Sequence, residues 1–259
     1  MGDILLVGCG NMAGAMLRRW IETGLAPERV TAVSPSGRAM PAGVRVEREL
    51  PLDRTDFDIV MLGFKPQQFS AMMAGPVVAY SPRLLVSILA GVELATLREH
   101  FVADSIVRAM PNLPVALGKG VVALHGEDRD GLAAELMAPL GLVEWIADER
   151  LFNLVTALAG SGPAFVFRFV DALAEAGAAL GLPRDQAARL ALATVEGAAA
   201  MAAGAGETPA TLADRVASPG GSTREGLKML DREGALRRLM VDTLTAATRR
   251  NAELASVSG

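Results

Sequence analysis

The chain predicts an α/β protein, with a doubly wound, mostly parallel sheet over residues 1–150 and an all-helical, self-associating region over 151–259. Three observations carry this. Apolar runs of strand length alternate with helical periodicity through the first half. A glycine turn, Gly8-Cys-Gly10-Asn-Met-Ala13, joins the first strand to the first helix. From Leu151 onward β-branched runs vanish, and alanine, leucine and charged residues at helical spacing take over.

Asp3 to Val7 reads as a buried strand, followed by a helix ending near Gly24. Gly8 permits a tight turn, Gly10 lets the backbone approach a pyrophosphate, and the small Ala13 lets helix pack on strand; free N–H groups at the helix start face the anion. Gly8, Gly10, Asn11, Met12 and Ala13 are therefore candidate cofactor contacts, against the plain alternative of a structural glycine turn. Arg29–Val33 is a second strand and Phe57–Leu62 a central one, followed by a helix over Pro66–Ala79. Further strands are expected at Arg83–Ile88, Ser105–Arg108 and Gly120–Leu124, then a helix from Asp130 to Pro139 and a last strand at Leu142–Ile146.

In the second half, helices are expected at Ala164–Leu180, Arg184–Ala203, Thr208–Val216, Thr223–Asp231 and Gly234–Leu254, punctuated by Gly181-Leu-Pro183 and Gly204-Ala-Gly206. Ala172–Ala179 and Leu190–Ala203 carry alanine on nearly every side, which fits burial all round. A helical unit this apolar completes its core with a second copy of itself.

Of the 259 residues 51% are hydrophobic, yet Gly, Pro or charge breaks the longest apolar stretches before they reach membrane-spanning length. No secretory pattern opens the chain, and the single cysteine, Cys9, fits a reducing compartment, so the expected location is the cytoplasm. With two histidines and no cysteine cluster, no constellation of His and Cys metal ligands is visible. A net charge of −4 with few aromatic residues argues against nucleic acid as a partner.

Several loops follow strand ends on the edge where open α/β sheets bind ligands. After the second strand comes Ser34-Pro-Ser36-Gly-Arg38, where NAD enzymes place a ribose-binding carboxylate. Two hydroxyls and a guanidinium instead suit a 2′-phosphate and favour NADPH over NADH; the alternative is a polar turn with a solvated arginine. Phe64 and Lys65 precede Pro66, which suits a first helical position; either an anionic ligand or solvent accounts for the lysine. Ala90-Gly91 and Met110-Pro-Asn112-Leu-Pro114 follow later strands, and Asn112 bonds either the cofactor or its own turn. Far downstream, Ser218-Pro-Gly220-Gly221-Ser222-Thr223 precedes a helix. Ser222 and Glu225 have capping-box spacing, but glycines before a helix start also expose N–H groups to a carboxylate or phosphate. On the second reading Thr223 is free to donate or accept a hydrogen bond.

Together these segments resemble pyrroline-5-carboxylate reductases over nearly the whole chain. Phe64-Lys-Pro-Gln67, Ser87-Ile-Leu-Ala-Gly91, Arg108-Ala-Met-Pro-Asn112, Gly160-Ser-Gly-Pro-Ala164 and Ser218–Thr223 carry the resemblance behind the glycine turn. It implies a Rossmann-type domain followed by an interlaced all-α dimerisation domain, and hydride transfer from NAD(P)H to the cyclic imine 1-pyrroline-5-carboxylate to give L-proline. It implies too that the Ser218–Thr223 loop holds the substrate carboxylate, that Thr223 bonds the ring nitrogen, and that Lys65-Pro66, Ala90-Gly91 and Asn112 face the nicotinamide. Leu113, Phe165 and Ala193 depart from the residues common in that family: threonine, tyrosine and glutamine. A β-hydroxyacid-type dehydrogenase would need a lysine on the first long helix of the second domain, and Ala164–Leu180 has none. A non-catalytic nucleotide sensor is the third alternative.

Overall fold

The computed structural model describes Gly2 to Ser258, with side chains through Leu254. It divides into two compact units: one runs to Ser161 and resumes at Ala246, and the other is Gly162–Thr245. The boundary expected from sequence lies at 150/151. Residues 151–161 join the first unit because Phe152 and Ala157 are buried in it, Phe152 beneath the Arg108 guanidinium.

The first unit is built on eight strands: β1 (Ile4–Val7), β2 (Val30–Val33), β3 (Arg45–Glu47), β4 (Ile59–Leu62), β5 (Leu84–Ser87), β6 (Ser105–Pro111), β7 (Gly120–Gly126) and β8 (Gly141–Trp145). They form one sheet in the order β3-β2-β1-β4-β5-β6-β7-β8, parallel throughout except for the β6–β7 pair. Strands β1, β2, β4 and β5 are buried at every residue, as expected of strands covered on both faces. Period-two alternation divides their side chains between two cores. Ile4, Leu6, Ile59 and Met61 face α1 (Asn11–Glu22) and α4 (Leu132–Met137), whereas Leu5, Val7, Val60 and Leu62 meet α2 (Phe69–Met73) and α3 (Leu94–His100). Trp20 pins the first layer by donating from Nε1 to Leu136 O at 2.6 Å. The order reverses at β1, which lies between β2 and β4, so a crevice opens beyond the carboxyl ends of these strands.

Three expectations need correction. The helix over 66–79 is broken into a 3-10 turn at Pro66–Gln68, the short α2 and a second 3-10 turn at Pro76–Ala79. Gly75-Pro76 is the cause, since proline lacks the N–H that would continue the helix. Strand β3 was not anticipated: it is short, mostly exposed and paired with β2 alone. The segment before Gly162, to which the sequence assigned no element, is helical. It comprises a 3-10 turn at Glu149–Leu151, α5 (Phe152–Val155) and a π-helical turn at Thr156–Gly160.

The second unit holds α6 (Gly162–Ala179), α7 (Arg184–Gly204), α8 (Pro209–Arg215), α9 (Ser222–Asp231) and the start of α10 (Ala235–Ser258). Helices α6 and α7 form a hairpin across Gly181, whose φ of 111° ends the first helix, with Leu182 N donating to Gly177 O at 3.1 Å. The alanine-rich helices are not buried all round in the single chain. No residue of α6 is buried, and of α7 only Ala187 and Ala191 are. Phe167 is 64% exposed and Leu180 90%. The helical run Glu149–Ala179 contains an 18-residue stretch long and apolar enough to cross a membrane by length and composition alone, and 6% of that stretch is buried in the single chain.

Candidate active site

The crevice beyond β1, β2 and β4 is a cleft of about 470 Å³, lined by the glycine turn, Ser34–Ser36, Arg38 and Gly63–Lys65. Gly8 has φ of 88°, and a Cβ on it would lie 2.7 Å from Phe64 N, so both conformation and space demand glycine. Its counterpart Gly63 would put a Cβ 2.7 Å from Gly8 O. Sequence reasoning missed Gly63, although a glycine at a strand exit was the available signal. A Cβ on Gly10 would meet nothing within 4 Å, so the space before α1 is open to a ligand. Gly10 is the N-cap of α1 and has no capping side chain, leaving the first N–H groups of the helix unshared. Ala13 is buried and Met12 partly buried against the core, while Asn11 is exposed and accepts from Arg38 at 2.9 Å.

That bond brings Arg38 to the start of α1, beside the Ser34–Gly37 turn, which is closed by Gly37 N donating to Ser34 O at 2.9 Å. Ser34 is buried at the end of β2, and its Oγ lies 3.5 Å from that of Ser36. Lys65 is exposed and lines the same cleft. Cations on two sides give the cleft a local positive charge despite the net charge of −4. Burial pushes the Cys9 thiol up, opposed by Arg18 and Arg38, so it stays protonated at neutral pH.

Ala90 and Gly91, the latter with φ of 78°, line a second and smaller pocket with Pro66. Asn112 has a structural task instead of a free face. Its Nδ2 donates to Ala159 O at 3.0 Å and its Oδ1 accepts from Val121 N at 2.8 Å. Proline at 163 has no N–H to offer the carbonyl four residues back, so Asn112 satisfies the acceptor that Pro163 orphans.

In the second unit, Gly220 takes φ of 72° and Gly221 N donates to Ser218 O at 3.0 Å, closing a turn directly before α9. The capping box, the alternative that the Ser222 and Glu225 spacing offered, does not form. Gly221 is the N-cap and Ser222 the first helical residue, with no side-chain cap. The Gly221 amide is thus occupied, while the N–H groups of Ser222, Thr223 and Arg224 have no helical acceptor. Thr223 is exposed and Ser222 next to it. Arg224 braces the loop, donating to Asp214 Oδ1 at 2.7 Å and Ala217 O at 2.9 Å. The result is a row of unshared N–H donors, an arrangement able to accept an anion, beside which Thr223 adds a hydroxyl.

Two family models match the chain: pyrroline-5-carboxylate reductase dimerisation over residues 149–254, and NADP oxidoreductase, coenzyme F420-dependent, over residues 3–91. The pyrroline-5-carboxylate reductase of Glycine max is 37% identical across 96% of this chain and 94% of its own length. The chain belongs to the pyrroline-5-carboxylate reductase family. A second relative of that name, from Pseudomonas aeruginosa, is 35% identical across 99% of this chain and 98% of its own. The solved structure of a pyrroline-5-carboxylate reductase from Coxiella burnetii matches with a TM-score of 0.88 at 32% identity, covering 98% of each chain. The dimerisation model covers the helices whose apolar side chains stand exposed, and the oxidoreductase model covers the glycine turn, Arg38 and Lys65.

The first unit also contains a half-buried ion pair that the sequence did not reveal. Arg108 on β6 donates to Glu149 Oε1 at 2.5 Å, and the same oxygen accepts Leu94 N at 2.7 Å, at the start of α3. Burial alone would raise the Glu149 carboxyl, but Arg108 and the Leu94 amide outweigh it and hold the group below its ordinary range. Its stabilising effect is therefore complete above the unfolded pKa of about 4.3 and is lost as pH falls through the lowered folded value. Glu149→Gln should flatten the fall in urea midpoint between about pH 5 and pH 3 relative to the parent; parallel acid curves would contradict this.

Proposed function

We propose that the chain reduces 1-pyrroline-5-carboxylate to L-proline with NADPH as hydride donor, the last step of proline synthesis. The observation that carries this reading is the uncapped start of α9, where three amides and the Thr223 hydroxyl stand free behind a glycine turn. That donor set suits a small ring acid. The N–H groups of Ser222 to Arg224 hold its carboxylate, and Thr223 Oγ1 accepts from the protonated ring nitrogen. Ser218, Gly220 and Gly221 shape the loop. Protonation makes the imine carbon, C2 of the substrate and C5 of the proline product, electrophilic, so no further acid is required, and holding the reacting atoms about 3–3.5 Å apart supplies much of the acceleration.

The cleft of the first unit fits the dinucleotide: Gly10 leaves space and unshared N–H groups for the pyrophosphate, and Ser34, Ser36 and Arg38 receive a 2′-phosphate. NADPH, when bound, supplies the hydride to the imine carbon. Phe64, Lys65, Pro66, Ala90 and Gly91 border its nicotinamide end, and Asn112 supports that edge through the scaffold. Because a charge-assisted hydrogen bond contributes about 1.5–3 kcal/mol, Arg38→Ala should raise KM for NADPH by roughly tenfold or more, with NADH nearly unaffected. Equal losses with both cofactors would remove Arg38 from the 2′-phosphate site.

Two copies complete the helical unit, and the exposed apolar faces of α6 and α7 are the surface they share. Light scattering at micromolar concentration should give at least a dimer; a monodisperse monomer contradicts this. The one cysteine fits a reducing compartment, and the cytoplasm is the location proposed. The deciding experiment for the reaction is an assay of NADPH oxidation with 1-pyrroline-5-carboxylate and chromatographic detection of L-proline. Stoichiometric proline is the expected product, and tight NADPH binding without turnover would favour a nucleotide sensor instead.

A further inference from the structure

Arg108 is a nearly buried cation whose partner accounts for only part of its donor set. Its side chain is 6% exposed, and its guanidinium lies 4.6 Å above the Phe152 ring centroid. One nitrogen bonds Glu149, and the other two have no acceptor among the described residues. Arginine offers five N–H groups, so the two nitrogens without a protein acceptor can donate to whatever occupies the space beside them. Arg108 also lines the small pocket that holds Ala90, Gly91 and Thr156. At about 80 Å³ this pocket has room for two or three waters of about 30 Å³ each, or for one amide-sized group, and not for a whole nucleotide.

The Glu149 end of the pair acts on the same pocket. Leu94, whose amide Glu149 accepts, ends the loop that begins after β5 and contains Ala90 and Gly91. Leu89 N, bonded to Ser87 Oγ at 3.3 Å, fixes the near end of that loop, so Glu149 is its far anchor and Arg108 holds the anchor. We propose that Arg108 is a positioning residue for the nicotinamide end of the coenzyme: through Glu149 it fixes the Ala90-Gly91 loop, and its remaining N–H groups receive the carboxamide oxygen. This rests on the coenzyme reading above. A neutral acceptor is the ligand chemistry required, because the Glu149 carboxylate already balances the arginine charge.

The test compares two ligands at equilibrium, without turnover. NADPH carries the nicotinamide; adenosine 2′,5′-bisphosphate keeps the adenine, ribose and 2′-phosphate and lacks it. By titration calorimetry, Arg108→Met should weaken NADPH roughly tenfold and leave the bisphosphate within about twofold, since only one ligand reaches the hydrogen bond removed. Arg108→Lys keeps a charge for Glu149 with fewer donors and should fall between parent and Arg108→Met. It also carries the test should Arg108→Met fail to fold. Parallel weakening of both ligands, or no change in either, would overturn the proposal. A parent protein that binds neither ligand would overturn the coenzyme reading and this proposal with it, whereas a parent that binds both leaves the ratio to decide the role of Arg108 alone.

Discussion

Thr223→Val should lower kcat/KM for 1-pyrroline-5-carboxylate by roughly 10- to 150-fold, the equivalent of the 1.5–3 kcal/mol that a hydrogen bond to a charged group contributes. Valine keeps the shape and removes only the hydroxyl. The backbone N–H of residue 223 remains, so the proposed carboxylate cradle stays intact and the loss should fall mainly on kcat. Arg224 and its bonds to Asp214 and Ala217 hold the loop in place regardless of residue 223, so folding should be unaffected. Steady-state kinetics on the folded variant decide the matter. A wild-type rate would show that the Thr223 hydroxyl takes no part in orienting the ring.

Gly8→Ala should be comparably damaging, and it acts on the first unit. A φ of 88° costs an alanine about 1–3 kcal/mol, and the new methyl would also press within 2.7 Å of the Phe64 amide. The glycine turn must shift away from β4 or the variant must unfold. Either way the pyrophosphate amides lose their arrangement, and NADPH affinity should fall by at least tenfold together with a lower melting temperature. Calorimetric titration and thermal unfolding measure the two losses separately. A variant with parental stability and parental NADPH affinity would mean that the turn does not contact the coenzyme.

The parts of this protein that can be read in its sequence are those set by neighbouring residues. The β1-turn-α1 unit is such a case: a strand, two glycines and a helix, complete by Glu22, state their own geometry. The start of α9 lies within one residue of its expected place for the same reason. The choice between two local solutions there is less evident, because the serine that could cap the helix lies inside it and Gly221 takes the cap position. Contacts between distant segments leave no local signal. Gly63 needs to be glycine only because β4 lies beside β1, and Arg108 meets Glu149 across 41 residues of chain. Asn112 owes its task to a proline far along the chain, at 163, and neither residue hints at the other. The exposed Val166, Phe167, Phe169 and Leu173 on α6 differ again: apolarity on every side fits burial within one chain as well as burial against a second copy, and one chain does not supply the cover.

If the start of α9 grips the ring acid being reduced, a crystal structure of the protein with NADP⁺ and L-proline should show it. The proline carboxylate is expected against the amides of Ser222, Thr223 and Arg224, with the ring nitrogen within hydrogen-bond distance of Thr223 Oγ1. Proline bound at any other site, with these amides facing only solvent, would contradict that placement.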